Sequence, residues 1–332
     1  MNNKDKFKLT EIGMIPEDWE VKKISDTCSI IREQFTPNFK DIRNYIGLEH
    51  IEQGSLRLIG IGKSSDAESN KFVFKKGQIL FGKLRPYFRK VYRPDFDGVC
   101  STDILVIDGK RGFDNGYLFY FFANPNIIDE ATRSSDGTKM PRASWAFMSR
   151  LERAFPELME QAAIAKILSD LDSKIENNLR MNNTLETIGQ ALFKRWFVDF
   201  EFPSEKGRPY KSSGGKMVDS ELGEIPKGWR VGSVSDCGRV VCGKTPPTKD
   251  KENYGEDFPF ITIPDMHHKT FIINTERKLS RLGAGTQSKK ELPALSICVS
   301  CIATPGIVTM TTEKSHTNVN AINIVTSEPV LC

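Results

Sequence analysis

A segment that occurs twice constrains this chain more than any local propensity. Residues 10–33 read TEIGMIPEDWEVKKISDTCSIIRE, and residues 220–243 read SELGEIPKGWRVGSVSDCGRVVCG. At a constant offset of 210 residues, Glu11, Gly13, Ile15, Pro16, Trp19, Val21, Ser25 and Asp26 recur as Glu221, Gly223, Ile225, Pro226, Trp229, Val231, Ser235 and Asp236. Repetition of this kind decides architecture before propensities do, and it predicts two domains that open alike. Each opening combines a Gly/Pro turn, a Trp anchor and a short strand. A fainter echo follows at an offset of 218. Residues 79–91 and 297–309 each suit a strand, a Pro-bearing turn and a second strand, and STDILVI at 101–107 matches VNAINIV at 319–325. β-Branched and aromatic residues broken by Gly and Pro dominate both units, which predicts mainly strands.

Between the copies the periodicity changes. Over residues 156–197, Ile164, Leu168, Leu171, Ile175, Leu179, Leu185, Ile188, Leu192 and Trp196 recur at spacings of mostly three and four, which places them on one face of a helix. Pro156 opens it, Glu157 and Glu160 lie in the first turn, and Lys194 and Arg195 lie in the last, as the helix dipole favours. Roughly 40 residues at ~1.5 Å each give a helix about 60 Å long, more than a small domain is wide. Part of the stripe must therefore meet another helix or another chain, so these nine residues form the expected partner-helix interface. The expected fold class is α+β, with two mainly β domains separated by a long spacer α-helix. The boundaries read from the sequence are a first domain at 1–152, the helix at 153–200, a Pro/Gly/Ser-rich linker at 201–219 and a second domain at 220–332. The second repeat runs to a point matching about Asp114 of the first and is read as incomplete, since it lacks a counterpart of residues 116–197.

Composition narrows the class. Hydrophobic residues make up 39% and mean hydropathy is −0.38, with no apolar run near the ~18 residues of a membrane span. Residues 1–10 lack the apolar core of a signal peptide. Seven scattered cysteines then predict free thiols and a cytoplasmic location. A net charge of +4 permits a nucleic-acid partner without demanding one, so any DNA argument rests on local clustering.

The paired openings IGMIPEDWEVKKISD and LGEIPKGWRVGSVSD, the Glu160-Gln161 step into the helix and the exit QALFKRWFVDF at 190–200 resemble the specificity subunit of type I restriction–modification systems. The resemblance spans nearly the whole chain. It implies two target recognition domains, each reading one half of a bipartite double-stranded DNA sequence. It implies that the helix sets the spacing between halves and docks methyltransferase subunits. Restriction subunits are further implied partners, and neither catalysis by this chain nor a cofactor is implied. The family's second helical region has no counterpart here; a homodimer supplying the partner helix in trans would repair that deficit.

Reading a half-site needs cations for phosphate and bidentate or amide groups for base edges. In the first domain Lys83, Arg85, Tyr87, Arg89 and Lys90 fall within GKLRPYFRK, a turn fixed by Pro86. Ser135, Thr138, Lys139 and Arg142 fall within SSDGTKMPR, a loop enforced by Gly137 and Pro141. In the second domain the candidates are Lys244, Thr248 and Lys249 of KTPPTKDK, then His267 and His268, and Thr304 in the turn at 304–306. The competing account of each is ordinary solvated surface.

Three motifs match other chemistries on paper. GRVVCGKT at 238–245 has phosphate-loop spacing, but Pro246 and Pro247 follow where a helix N-terminus is needed. Asp95 with Asp108 and Lys110, and Asp265 with Glu276 and Lys278, have the spacing of a magnesium-dependent nuclease, which needs both carboxylates on one ion. Cys298 and Cys301 stand three apart on an expected strand, where they face opposite sides, so no metal site is expected. A nuclease using Asp95, Asp108 and Lys110, and a helical scaffold that reads no DNA, are the alternative functions.

Overall fold

The computed structural model describes residues 7–38, 40–66, 68–134, 140–267, 269–302 and 304–325. It divides into two compact units, Met1–Ile188 and Gly189–Cys332.

The first unit opens with a hairpin, β1 (Phe7–Thr10) on β2 (Gly13–Pro16), turned at Gly13 with φ 109°, a conformation that suits glycine. Next come β3 (Glu20–Lys23), one turn of helix α1 (Ile24–Thr27) and β4 (Cys28–Ile31). The remaining strands before the helices are β5 (Gln34–Phe35), β6 (Asn44–Ile46), β7 (Gly62–Lys63), β8 (Lys71–Phe74), β9 (Ile79–Gly82), β10 (Val91–Tyr92), β11 (Gly98–Cys100) and β12 (Ile104–Gly109). Two sheets result, ordered β10-β9-β12-β4 and β5-β8-β11-β6-β7.

The first of these sheets is buried on both faces, so its strands read as near-continuous apolar runs rather than alternating ones. Leu80, Ile104 and Val106 pack with Ile46 and Phe74 of the second sheet. On the other face, Ile79, Phe81, Val91 and Ile107 pack with helices α2 (Asn115–Ala123), α3 (Pro125–Arg133) and α4 (Trp145–Met148). The aromatic run GYLFYFFA at 116–123 lies in α2, and Phe81 meets Phe122 edge-on at 6.0 Å. β13 (Glu152–Phe155) returns to pair with β3, and α5 (Leu158–Phe193) follows, closed by a π-helical turn at Lys194–Val198.

Gln161 anchors the start of α5. It is 1% exposed, accepts from the Asp114 N–H at 3.0 Å and donates to the Pro156 carbonyl at 2.9 Å. Nearby, the Trp19 indole donates to Glu160 and the Tyr120 hydroxyl to Asp172. Of the expected stripe, Ile164 packs against the core, and Leu168, Leu179 and Trp196 are half-buried. Leu171, Ile175, Leu185, Ile188 and Leu192 are exposed.

The second unit repeats the opening hairpin and its Trp turn, but residues 230–233, the counterparts of β3, form no strand, which corrects the expectation of a short strand in both openings. β14 (Met217–Ser220) pairs with β15 (Gly223–Pro226) in the register of β1 and β2. Ser220 Oγ donates to the Gly223 carbonyl as Thr10 Oγ1 does to Gly13, and the Trp229 N–H donates to Pro226 as Trp19 does to Pro16. Trp229 packs among Phe197, Phe200 and Phe202, and Phe202 stacks on Tyr210 at 4.6 Å. The unit continues through β16 (Arg239–Cys242), β17 (Tyr254–Ile261), α6 (Ile263–Met266), β18 (Phe271–Ile272), β19 (Arg277–Leu279) and α7 (Arg281–Gly285). It ends with β20 (Ile297–Ser300), β21 (Val308–Thr311), β22 (His316–Thr317) and β23 (Ala321–Val325). The sheets are ordered β16-β23-β20-β21-β18 and β19-β17-β22.

The ladders fix how the repeats correspond. Ile107 lies between Ile30 and Ile79 in the first unit, and Ile324 lies between Val240 and Ile297 in the second. The offset is therefore 210 at β16, 218 at β20 and 217 at β23 (Ile107 to Ile324). This corrects the offset of 218 for 319–325, a one-residue slip that would turn each side chain to the wrong face. The Gly82 N–H donates to the Lys90 carbonyl, whereas its counterpart Ser300 donates to Ile307, so the turn after β20 is one residue shorter.

Candidate nucleic-acid interface

The turn from β9 to β10 is held from below. Between the strands, Pro86–Phe88 forms a 3-10 turn flanked by Arg85 and Arg89, both left-handed at φ 50° and 52°. Non-glycine residues rarely adopt this conformation. The surrounding bonds hold it: Phe88 N–H to Arg85, Arg89 N–H to Pro86, and Gly82 N–H to Lys90. Pro86 is buried, while Tyr87 is 47% exposed with its ring edge-on to Phe88.

This turn and the loop before α4 form one site. Leu84 bridges Arg142, the Arg85 N–H donates to the Pro141 carbonyl at 2.8 Å, and the Ala143 N–H donates to the Lys83 carbonyl at 2.8 Å. Two segments that the sequence offered separately are thereby zipped together. Ser135, Thr138 and Lys139 lie outside the described residues.

The cations in this patch are not equivalent. Arg142 is bound by Asp103 through Nε to Oδ1 at 2.9 Å and Nη2 to Oδ2 at 3.3 Å. That bond and the carboxylate's charge raise the guanidinium pKa further, so Arg142 stays charged. Lys83 Nζ stands 3.9 Å from the same carboxylate. Lys90 turns its ammonium to the Leu48 carbonyl at 2.6 Å, which makes it a brace for the turn. Arg85 and Arg89 form no side-chain hydrogen bond or ion pair with the described residues. Sequence reasoning missed Asp103. It stands 39 residues from Arg142, and its only local signal is the Ser101-Thr102-Asp103 turn before β12.

In the second unit Lys244, Thr248, Lys249, His267 and Thr304 are exposed, and His268 lies outside the described residues. The Lys244 N–H is tied to the Thr317 carbonyl. Thr304 lies in the turn between β20 and β21, whose residues 301–306 (CIATPG) include no cation. No ladder or bridge joins these five candidates to one another.

The competing motifs have structural employment. Residues 239–242 of the phosphate-loop match are strand β16, and no helix follows at Pro246. Asp108 accepts from Gln78 and Asn115, and Lys110 donates to the Ser25 carbonyl at 2.6 Å. Asp265 caps α6 and receives the Glu276 N–H. Cys298 is buried in β20 and Cys301 is exposed in the turn just beyond it, not on the strand as expected, and no cluster of metal-ligating side chains occurs among the described residues.

The sequence of both repeats matches known proteins. Residues 16–187 and 226–328 match the type I restriction modification DNA specificity domain. The type I restriction enzyme HindI specificity subunit of Haemophilus influenzae is 32% identical, over 95% of this chain and 81% of that protein. The MjaIX specificity subunit of Methanocaldococcus jannaschii is 30% identical, over 78% of this chain and 61% of that one. A solved type I restriction–modification S subunit from M. genitalium aligns over 99% of this chain and 75% of its own, at 14% identity and a TM-score of 0.48. With both repeats matched across most of their length, the chain belongs to the type I restriction–modification DNA specificity family.

Proposed function

We propose that this chain is the specificity subunit of a type I restriction–modification complex. It recognises DNA sequence and leaves catalysis to methyltransferase and restriction subunits. The observation that carries the site assignment is the joined patch of residues 83–90 and 141–143, where the turn bearing Arg85 and Arg89 is zipped to the segment bearing the Asp103-bound Arg142. In this reading residues 1–152 read one half-site and residues 220–332 the other, and α5, within the segment 153–200, sets their spacing. Arg85, Arg89, Lys83 and Tyr87 meet the DNA backbone, and Ser135, Thr138 and Lys139 are assigned to the same half-site from the sequence alone. Lys244, Thr248, Lys249, His267, His268 and Thr304 do so on the second domain. The exposed stripe on α5 docks a methyltransferase subunit or the same helix of a second copy. Among the described residues, no helix is long and apolar enough to cross a membrane.

The test is co-expression with a methyltransferase subunit of the same system and sequencing of the methylated DNA. An asymmetric bipartite motif is expected if both domains read. A palindromic motif would instead mean two copies paired through their helices, each reading with its first domain. Failure to form any complex would overturn the reading.

A further inference from the structure

We infer that Arg142 reads a guanine in the half-site of the first domain, and that Asp103 is the positioning residue that aims it. The inference rests on the DNA-specificity reading above and deepens it.

The geometry of the pair carries the argument. Asp103 occupies Nε and one hydrogen of Nη2. That leaves the Nη1–Nη2 end of the planar fork, whose two parallel donors match O6 and N7 of guanine in the major groove. No other base presents two acceptors there. The platform is rigid from both sides. The Asp103 N–H donates to Ser101 Oγ at 3.2 Å, its carbonyl accepts from the Lys83 N–H at 2.9 Å, and Arg142 is held by the bridge to Leu84. An arginine neutralised by a carboxylate adds little to phosphate attraction, so its value lies in direction. The unpaired Arg85 and Arg89 suit phosphate.

The second repeat supplies an internal control. The same turn recurs there, with the Asn320 N–H donating to Asn318 Oδ1 at 3.1 Å and its carbonyl accepting from the Cys301 N–H at 2.9 Å. Asn320 stands where Asp103 stands, so this turn folds with asparagine and Asp103→Asn is a fair probe.

The experiment is selection from randomised duplexes by the purified complex with its methyltransferase subunit, comparing wild type, Asp103→Asn, Arg142→Lys and Arg89→Ala. Thermal melting checks that each variant folds. Asp103→Asn and Arg142→Lys should each relax one G·C position by about 10- to 100-fold and leave the other positions intact. Arg89→Ala should keep the motif, weaken all sequences alike and lower the salt slope by about one. An unchanged motif in both Asp103→Asn and Arg142→Lys, or equal decay at every position, would overturn the inference while the specificity reading stands. A wild-type complex that selects no sequence would overturn both.

Discussion

The two units share a register and differ in what lies on it. In the first, the face of β9, β10, β12 and β4 that carries Ile79, Phe81, Val91 and Ile107 lies under α2, α3 and α4, and Val91 is 0% exposed. In the second, the same ladder positions are Ile297, Val299, Val308 and Ile324, and Val308 is 58% exposed. Both sheets nevertheless close the same hydrogen bonds. Strand pairing and the opposite face are enough to set the register, so the helical layer adds stability to a pattern already determined. The turn at the head of β9 shows the same separation of frame from content. Lys83 and Cys301 donate to equivalent carbonyls, yet one turn is basic and its counterpart neutral. A frame that tolerates such changes can carry different contact residues in each copy.

The largest effect expected concerns the exposed apolar stripe on α5. Leu171 on α5 is 57% exposed. Leu171→Asp should therefore shift the unfolding free energy of the isolated chain by no more than about 0.5 kcal/mol. The affinity for the methyltransferase subunit should fall by about 100-fold or more, as for an interface anchor. Undiminished co-purification would mean that the helix stripe is not the docking face.

A matched pair of valines measures what the helical layer contributes. Val91→Ala removes two buried methyl groups and should destabilise the first unit by about 2 kcal/mol, from ~0.8 kcal/mol per buried carbon plus a cavity. Val308→Ala, at the same register position, should cost about 0.5 kcal/mol or less. Urea titration of each variant gives both numbers. Equal costs would show that the face of β21 is covered in solution.

Much of this was legible in the sequence, and the lapses have physical causes. The opening repeat was visible because its hairpin and anchor depend on side-chain identity: Gly13 and Gly223 both require positive φ, and Trp19 and Trp229 both cap the same turn. The later strands keep only apolar character, so the single-residue deletion in the turn after β20 left no mark, and the offset of β23 was set one residue too high. The pairing of Arg142 with Asp103 was hidden because strand register, not local pattern, brings residues 39 apart together. For Lys90 the sequence shows a charge and not the Leu48 carbonyl that its ammonium meets.

The smallest effect sharpens the comparison at one buried position. Val99 in β11 lies across from Tyr45, and at the same register of β22 the second unit places His316 across from Phe260. His316 is 1% exposed, neither ring nitrogen has a partner among the described residues, and its ring packs edge-on to Phe258 at 6.0 Å. Burial pushes its pKa below the usual 6.5, with Glu291 opposing that and Lys314 adding to it. The buried imidazole stays neutral while the unfolded chain takes up a proton near pH ~6.5, so the unfolded state binds more protons as the pH falls. Stability of the second unit should therefore be full above about pH 6.5 and decline below it, by at most about 1.4 kcal/mol per pH unit, until the folded-state pKa is reached. His316→Val, which installs the first unit's residue, should remove that slope, so the variant gains on wild type as the pH falls from 7.5 to 5. A stability difference between the two that is the same at both pH values would mean that the imidazole finds a proton-holding partner in the folded state, and that the two cores are electrostatically alike after all.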